Sequence, residues 1–255
     1  MKRSSRARTG AIVTASVLSL ALVTGCGGGS DDDSKESGTS EKSGASSSPT
    51  KSATTAAKAL SAAELEKLLI VQSDLPRDKV ASGDDTLPKS RSEMKTDKAE
   101  CAPLGYALAG LPPGDTDAGA SNTVTSEERV GNTFNMTMTT VGLSSYAGDG
   151  AEKALKAVSD GIAACSDGFG ITAQGETMKI TKIAAGKASG KGDESVAFVL
   201  DADMDGEGTG AFTIEAVRVG TLVSTYYSVD FTAIENGKVS TVAAPVIDAQ
   251  VAKLK

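Results

Sequence analysis

Helical periodicity of apolar residues marks three segments of the chain. The segment "LSAAELEKLLI", residues 60–70, predicts a helix near 61–71, because a stripe of leucines follows Ser61 and Glu64, which have the spacing of a capping box. Around residues 149–165 one helical face collects the apolar side chains of Ala151, Leu155, Val158, Ile162 and Cys165. The tail "APVIDAQVAKL" tolerates Pro245 in a first turn. The pattern therefore predicts three helices, and the second carries a cysteine on its buried side.

Alternation of period two marks the strands. The segments "SNTVTSEERV" and "NTFNMTMTTVGL" predict a strand pair with a tight turn at Gly131 and Asn132. Further strands are predicted near residues 177–184 and 195–203, and residues 211–232 are predicted to fold back at Gly220 as two strands. The passage from residue 72 to Gly119 is typical of loops. This order predicts an α+β fold, a twisted antiparallel β-sheet with about three α-helices packed on one face.

The N-terminus has the layout of an export signal. Four basic residues precede the uncharged run "AIVTASVLSLALVTG", which is too short for a transmembrane helix, so residues 1–25 are predicted to be a signal peptide. The small residues of "VTGC" resemble the lipobox of bacterial lipoproteins, which implies that Cys26 receives a diacylglycerol anchor. The alternative is an ordinary secretory signal with a chance cysteine.

Composition divides the remaining chain into a linker and one domain. Residues 27–58 have almost no large apolar side chain, so residues 26–58 are predicted to be a lipidated cysteine followed by a disordered linker. Such a coil has a root-mean-square reach of about 30 Å, enough to hold a domain away from a membrane. Residues 59–255 are long enough for one well-packed domain and short for two.

Charge and residue usage exclude several classes of function. Removal of residues 1–25 takes away four positive charges and no negative one, so the formal charge moves from −7 to −11, which disfavours nucleic acid as a partner. The chain has no histidine, so histidine-based hydrolysis and histidine-ligated zinc are excluded. It has nine aromatic residues and no tryptophan, which leaves little material for a sugar-binding cleft. No cofactor is predicted.

The cysteine surroundings resemble a known family. "AECAPLGYAL" around Cys101, "TTVGLSSYAGDGAEKALKAV", "DGIAACSDGF" around Cys165 and the closing "AQVAKL" are similar to the PknH-like extracellular sensor domain. That family is found outside the membrane on bacterial receptor Ser/Thr kinases and as free-standing lipoproteins. The resemblance covers most of residues 60–255. It implies a twisted antiparallel sheet with helices around a cleft for an envelope ligand.

A disulfide between Cys101 and Cys165 is predicted in agreement with the resemblance. Both residues would face an oxidising exterior, and Cys165 lies on the buried face of a predicted helix. In the chain-entropy model, closing a loop of this length stabilises the fold by about 4 kcal/mol. The alternative is two unpaired buried thiols.

Four motifs suggest other chemistry. "DADMDGEGTGAF" offers a weak calcium candidate, Asp201, Asp203, Asp205 and Glu207, although Phe212 stands where an EF-hand needs a bidentate glutamate. "GKASGKG" departs from the spacing of a phosphate loop. Ser92 and Lys95 have the Ser-x-x-Lys spacing of penicillin-recognising enzymes without the remaining motif. The aromatic cluster in "TLVSTYYSVDF" is interpreted as core rather than as a ligand wall.

These observations favour a non-enzymatic binding or sensing domain of the cell envelope, attached by lipid to the outer face of the bacterial membrane. Its expected partners are the membrane, through the N-terminal lipid, and a small envelope ligand or an envelope protein. A lipid or acyl-chain carrier is the alternative, and it predicts a large apolar cavity between sheet and helices. A hydrolase with paired carboxylates would need two acids about 5 to 10 Å apart in a pocket.

Overall fold

An antiparallel β-sheet organises the domain. The structure is a computed structural model that describes residues 58–83, 87–130, 133–204 and 208–255. Within these residues nine strands form one sheet in the order β1-β3-β4-β9-β8-β7-β6-β5-β2, and every neighbouring pair is antiparallel. The strands are β1 Lys79–Ser82, β2 Met94–Thr96, β3 Gly119–Val130, β4 Thr133–Ser145, β5 Phe169–Ala173, β6 Glu176–Ala185, β7 Glu194–Asp203, β8 Thr209–Val219 and β9 Leu222–Asp230.

Five α-helices accompany the sheet in the part of the chain that the structure describes. They are α1 Ala62–Glu66, α2 Ala102–Leu108, α3 Gly150–Ala164, α4 Phe231–Glu235 and α5 Ala244–Lys253. Short 3₁₀ turns occupy Arg91–Glu93 and Ala99–Cys101. The predicted α+β class with an antiparallel sheet is therefore confirmed. Within these described ranges, no helix is long and apolar enough to cross a membrane.

Helices cover both faces of the sheet, where the sequence pattern predicted one. On the face defined here as the first, Phe212 and Ile214 of β8 pack in one cluster with Leu104 of α2 and Val158 of α3. On the second face, Val217 of β8 clusters with side chains of α1 and α5. Since both faces of the central strands carry apolar side chains, one layer of helices would leave half of them in water.

The passage that the pattern assigned to loops contains three regular elements. β1, β2 and α2 all lie between residue 72 and Gly119. The two strands have four and three residues, too few for a clear alternation. α2 has seven residues with a proline in its first turn and Gly105 in its middle, so its apolar spacing is weak in sequence. Two of these elements, β2 and α2, contribute to the wall of the candidate site.

The first helix ends earlier than predicted. The pattern predicts a helix over 61–71, but α1 stops at Glu66 while Leu69 and Ile70 remain buried. The buried Gln250 of α5 accepts the Ile70 N–H at 3.0 Å and donates to the Leu68 carbonyl at 2.8 Å. These tertiary hydrogen bonds replace those that another helical turn would have made.

Part of the connection between β1 and β2 lies on the first face. These strands form opposite edges of the sheet, and residues 83–93 join them. Within this connection, Leu87 and Pro88 line a cavity together with Met94, Ile171 and Tyr227, which lie on the first face.

The predicted disulfide between Cys101 and Cys165 is present. Cys101 stands at the N-terminus of α2 and Cys165 at the C-terminus of α3, with their Cα atoms 5.9 Å apart. Both residues are fully buried. Close packing of the two helices is permitted at Gly161, where an added Cβ would lie 3.2 Å from Leu104. The bond therefore fixes the start of α2 against α3 and the first face.

Candidate functional site

The candidate site is an apolar cavity of about 640 Å³ on the first face, named the Tyr227 cavity. It lies between the C-terminal end of α2, the strands β2, β5 and β6, the end of β7, and the β1–β2 connection. Most of its lining side chains are apolar. The apolar lining residues are Leu87, Pro88, Met94, Leu108, Ala109, Ile171, Ala173, Met178 and Met204, and the polar ones are Gln174, Glu176, Thr177, Asp203 and Tyr227.

Tyr227 brings a polar group into this apolar environment. The ring is partly buried and lies 5.6 Å, centroid to centroid, from the ring of Phe212 on the neighbouring strand β8. Among the described residues, none forms a hydrogen bond with its hydroxyl group. Burial raises the pKa of Tyr227 to about 12. At neutral pH the hydroxyl is protonated and can donate a hydrogen bond to a bound molecule.

Alkaline pH should lower stability through Tyr227. Because the folded pKa of about 12 lies above the ordinary value of 10.0, the folded state keeps the proton where the unfolded state releases it. Stability present below pH 10 is therefore lost as pH rises toward 12, by roughly 2 kcal/mol for this residue. Urea unfolding of the wild type and of Tyr227→Phe across this range measures the loss. An equally steep decline in the variant would contradict it.

The mouth of the Tyr227 cavity is lined by partly exposed methionines and by carboxylates. The methionines Met178 and Met204 are 45% and 41% exposed, and their unbranched side chains adapt to different shapes. Glu176, at the start of β6, and Asp203, at the end of β7, add carboxylates to the lining. The cavity therefore combines an apolar interior, one hydroxyl donor and an acidic rim.

A second, more polar cavity of about 950 Å³ adjoins the first and is named the Arg91 cavity. The two cavities share Leu87, Pro88 and Ala109 as a common wall. Nη1 of Arg91 donates to the Gly114 carbonyl at 2.7 Å and to the Thr116 carbonyl at 3.3 Å. The guanidinium also lies 5.1 Å from the ring centroid of Tyr106. Arg91 thus fixes the β1–β2 connection to the segment after α2.

The glycine-rich segment 186–192 binds a side-chain carboxyl group of the protein, that of Glu215. The Ser189 N–H donates to Oε1 of Glu215 at 2.9 Å, and the Ser189 hydroxyl donates to the same oxygen. Glu215 is 4% exposed and lies on β8. Lys191 forms an ion pair of 2.7 Å with Asp248 on α5. The segment therefore anchors itself to the sheet and to α5, which agrees with the rejection of a phosphate loop.

Only two of the four residues of the weak calcium candidate lie in the part of the chain that the structure describes. Asp201 and Asp203 lie on β7, whereas Asp205 and Glu207 lie outside the described residues. Across residues 58–83, 87–130, 133–204 and 208–255, no group of three or more acidic or cysteine residues could hold a metal ion. The lipid attachment at Cys26 and the turn at Gly131 and Asn132 also lie outside the described residues. These three remain predictions.

The two consecutive tyrosines of the aromatic cluster have different roles, one in the core and one in the cavity wall, and the sequence pattern predicted only the core role. Tyr226 faces the second face, is fully buried and bonds its hydroxyl to Ser224 at 2.9 Å, as expected of a core residue. Tyr227 faces the opposite way and lines the cavity. Two consecutive tyrosines in a strand must point to opposite faces, so the signal for a second role was present. The methionines at the mouth gave no such signal.

Comparisons with known proteins find likeness in structure only. No family model matches the chain, and no curated protein matches it. The crystal structure of the extracellular domain of PknH from Mycobacterium tuberculosis is similar at 12% identity and a TM-score of 0.41, over 77% of this chain and 95% of that chain. The X-ray structure of the Rv0999 ortholog from Mycobacterium smegmatis is similar at 12% identity and a TM-score of 0.31, over 76% and 94%. Both TM-scores lie below 0.5.

Proposed function

We propose that the chain is an extracytoplasmic, non-enzymatic binding domain that is attached to the membrane through Cys26 and holds a small apolar ligand in the Tyr227 cavity. The observation that carries the proposal is the cavity itself, an apolar space containing a hydroxyl with no hydrogen-bond partner among the described residues. The export signal and the "VTGC" sequence support the location and the anchor.

The size and chemistry of the cavity suit a small molecule. Ligand sites usually enclose about 300 to 1,000 Å³ and combine apolar walls with a few polar groups. The Tyr227 cavity, at about 640 Å³, lies within that range. A ligand that covers the Tyr227 hydroxyl without accepting its hydrogen bond costs free energy, and a ligand that accepts this hydrogen bond avoids that cost. Binding rather than catalysis is the function that this arrangement supports.

Chain-length dependence of binding tests the proposal. The mature chain with Cys26→Ser, exported without lipid, is titrated with 1-hexanol and 1-octanol and followed by heteronuclear NMR. Each methylene buried contributes about 0.8 kcal/mol, so two methylenes should raise affinity about fifteenfold, with shift changes at residues of the cavity. Absence of binding, or shifts centred elsewhere, would contradict the proposal.

A pair of methionine variants locates the binding. Met178 lies at the mouth of the cavity and is 45% exposed, so Met178→Glu should fold normally and weaken 1-octanol binding about tenfold, because a carboxylate then borders the buried chain. Met136→Glu on β4 is the matched control, since Met136 does not line the cavity. Equal losses in the two variants would place the ligand elsewhere.

A lipid or acyl-chain carrier is the second candidate function. The observation that favours it is the apolar lining of the cavity, with methionines at an open mouth. Native mass spectrometry of the exported chain, purified without detergent, separates the two functions. A sensor that exchanges its ligand should be recovered bare, whereas a carrier should retain a heterogeneous adduct of lipid size.

A further inference from the structure

We infer that the ligand of the Tyr227 cavity is an uncharged apolar molecule whose oxygen accepts a hydrogen bond from Tyr227. This inference rests on the proposed function and adds the chemical class of the ligand. An ester, a ketone, an ether or an alcohol on an aliphatic chain meets the description. A fatty acid anion and an alkylammonium ion do not.

The hydroxyl of Tyr227 selects for an acceptor. Tyr227 lines the cavity together with mostly apolar residues, and no described residue bonds to its hydroxyl. The hydroxyl is protonated at neutral pH, as in any tyrosine, because burial only raises its pKa further above 10.0. A ligand made of hydrocarbon alone would leave this donor unpaired and dry, whereas an oxygen placed opposite it restores the hydrogen bond lost to water. The interior of the cavity therefore favours a ligand with one acceptor oxygen.

The charges around the cavity select against an anion. Glu176 contributes a carboxylate, and none of the described lining residues is a lysine or an arginine. Lys95 and Lys179 follow the lining residues Met94 and Met178 in their strands and therefore occupy the opposite face of the sheet. A carboxylate ligand would meet the like charge of Glu176 and no cation among the described lining residues.

The apolar walls select against a cation. The carboxylates stand at the ends of β6 and β7, and the space beyond them is bounded by apolar residues such as Ile171, Leu108 and Ala109. An ammonium group that follows its chain into this space leaves water without gaining a partner. An ammonium group kept at the rim leaves the Tyr227 hydroxyl unpaired. The uncharged, oxygen-bearing molecule is the one that satisfies both regions.

Four probes that share a six-carbon chain test the inference on the mature chain with Cys26→Ser near neutral pH. The probes are 1-hexanol, hexanoate, hexylamine and 1-chlorohexane, and their affinities are measured by heteronuclear NMR titration. We expect 1-hexanol to bind more tightly than hexylamine, and hexanoate to bind at least about tenfold more weakly than 1-hexanol. If hexanoate or hexylamine binds as tightly as 1-hexanol, the inference is overturned while the proposed function stands. If no probe binds in the cavity, both fail.

Two variants assign the selectivity to named groups. Tyr227→Phe should weaken 1-hexanol about fivefold relative to 1-chlorohexane, because one neutral hydrogen bond is lost. Tyr106→Phe is the matched control, since Tyr106 lies on α2 outside the lining. Glu176→Gln should strengthen hexanoate severalfold relative to 1-hexanol, with Glu128→Gln on β3 as its control. Unchanged 1-hexanol affinity in Tyr227→Phe would refute the hydrogen bond, and unchanged hexanoate affinity in Glu176→Gln would refute the role of the rim.

Discussion

Replacement of Cys101 and Cys165 by alanine is expected to lower the free energy of unfolding by about 4 kcal/mol. The disulfide joins residues separated by 64 positions, and β3, β4 and α3 lie within the loop that it closes. In the chain-entropy model, opening a loop of that length gives the unfolded chain more conformations, which favours unfolding. Since a whole domain is stable by only about 5 to 15 kcal/mol, the loss is a large share of the total.

Urea unfolding of three forms isolates the contribution of the bond. The oxidised wild type is compared with the reduced wild type, which keeps both sulfur atoms, and with the double alanine variant, which loses them. The reduced form should account for most of the loss. The alanine variant should lose somewhat more, because both cysteines are fully buried and their truncation leaves space in the core. A reduced protein within about 1 kcal/mol of the oxidised one would contradict the assignment of a structural role to the bond.

The same bond connects stability with the candidate site. Cys101 stands at one end of α2, and Leu108 at the other end lines the Tyr227 cavity. α2 has seven residues, too few to be stable as a helix in isolation, so its position depends on the contacts at its ends. Reduction should therefore weaken 1-octanol binding as well as stability, even under conditions in which the domain remains folded.

Periodic segments could be predicted from sequence because their side chains report burial directly. The fifteen-residue helix α3 buries Ala151, Leu155 and Val158 at helical spacing, and the strands β8 and β9 turn back at Gly220, whose φ of 59° suits glycine. Long elements average over many positions, so their pattern survives individual exceptions. The disulfide followed from the export signal and the resemblance together.

The short elements and the two-sided sheet could not be predicted in the same way. β2 has three residues, of which Met94 alone is buried, and nothing in so short a run separates a strand from a loop. Tertiary contacts determine it, since Met94 pairs with Ala173 of β5 and packs beneath Gly105 of α2. The candidate site could not be predicted for the same reason, because its walls come from seven separate segments that the fold brings together. Tyr227 is the exception, since two consecutive tyrosines in a strand must point to opposite faces.

Gly142→Ala is expected to destabilise the domain by about 2 to 3 kcal/mol and to weaken ligand binding. An added Cβ at Gly142 would fall on the carbonyl oxygen of Gly110 and lie 2.6 Å from Oγ1 of Thr225. The Gly110 backbone cannot shift freely, because Gly110 has a φ of 69° and its N–H donates to the Ala107 carbonyl at 3.3 Å. Displacement of this segment moves Ala109, which is part of the wall shared by both cavities.

The combined measurement distinguishes a defect of the wall from a general loss of stability. Urea unfolding and 1-octanol titration are carried out on Gly142→Ala and on Gly170→Ala, a matched glycine of β5 whose added Cβ meets only the exposed carboxylate of Asp97 at 3.2 Å. The control should remain within about 1 kcal/mol of the wild type and bind normally. If Gly142→Ala loses stability but keeps its full affinity for 1-octanol, the wall at Ala109 does not shape the ligand site. If both variants behave like the wild type, the backbone around Gly110 is more tolerant than its contacts indicate. A loss of affinity in Gly142→Ala alone, measured where both variants are folded, ties the close approach of β4 and the end of α2 to the binding of the ligand.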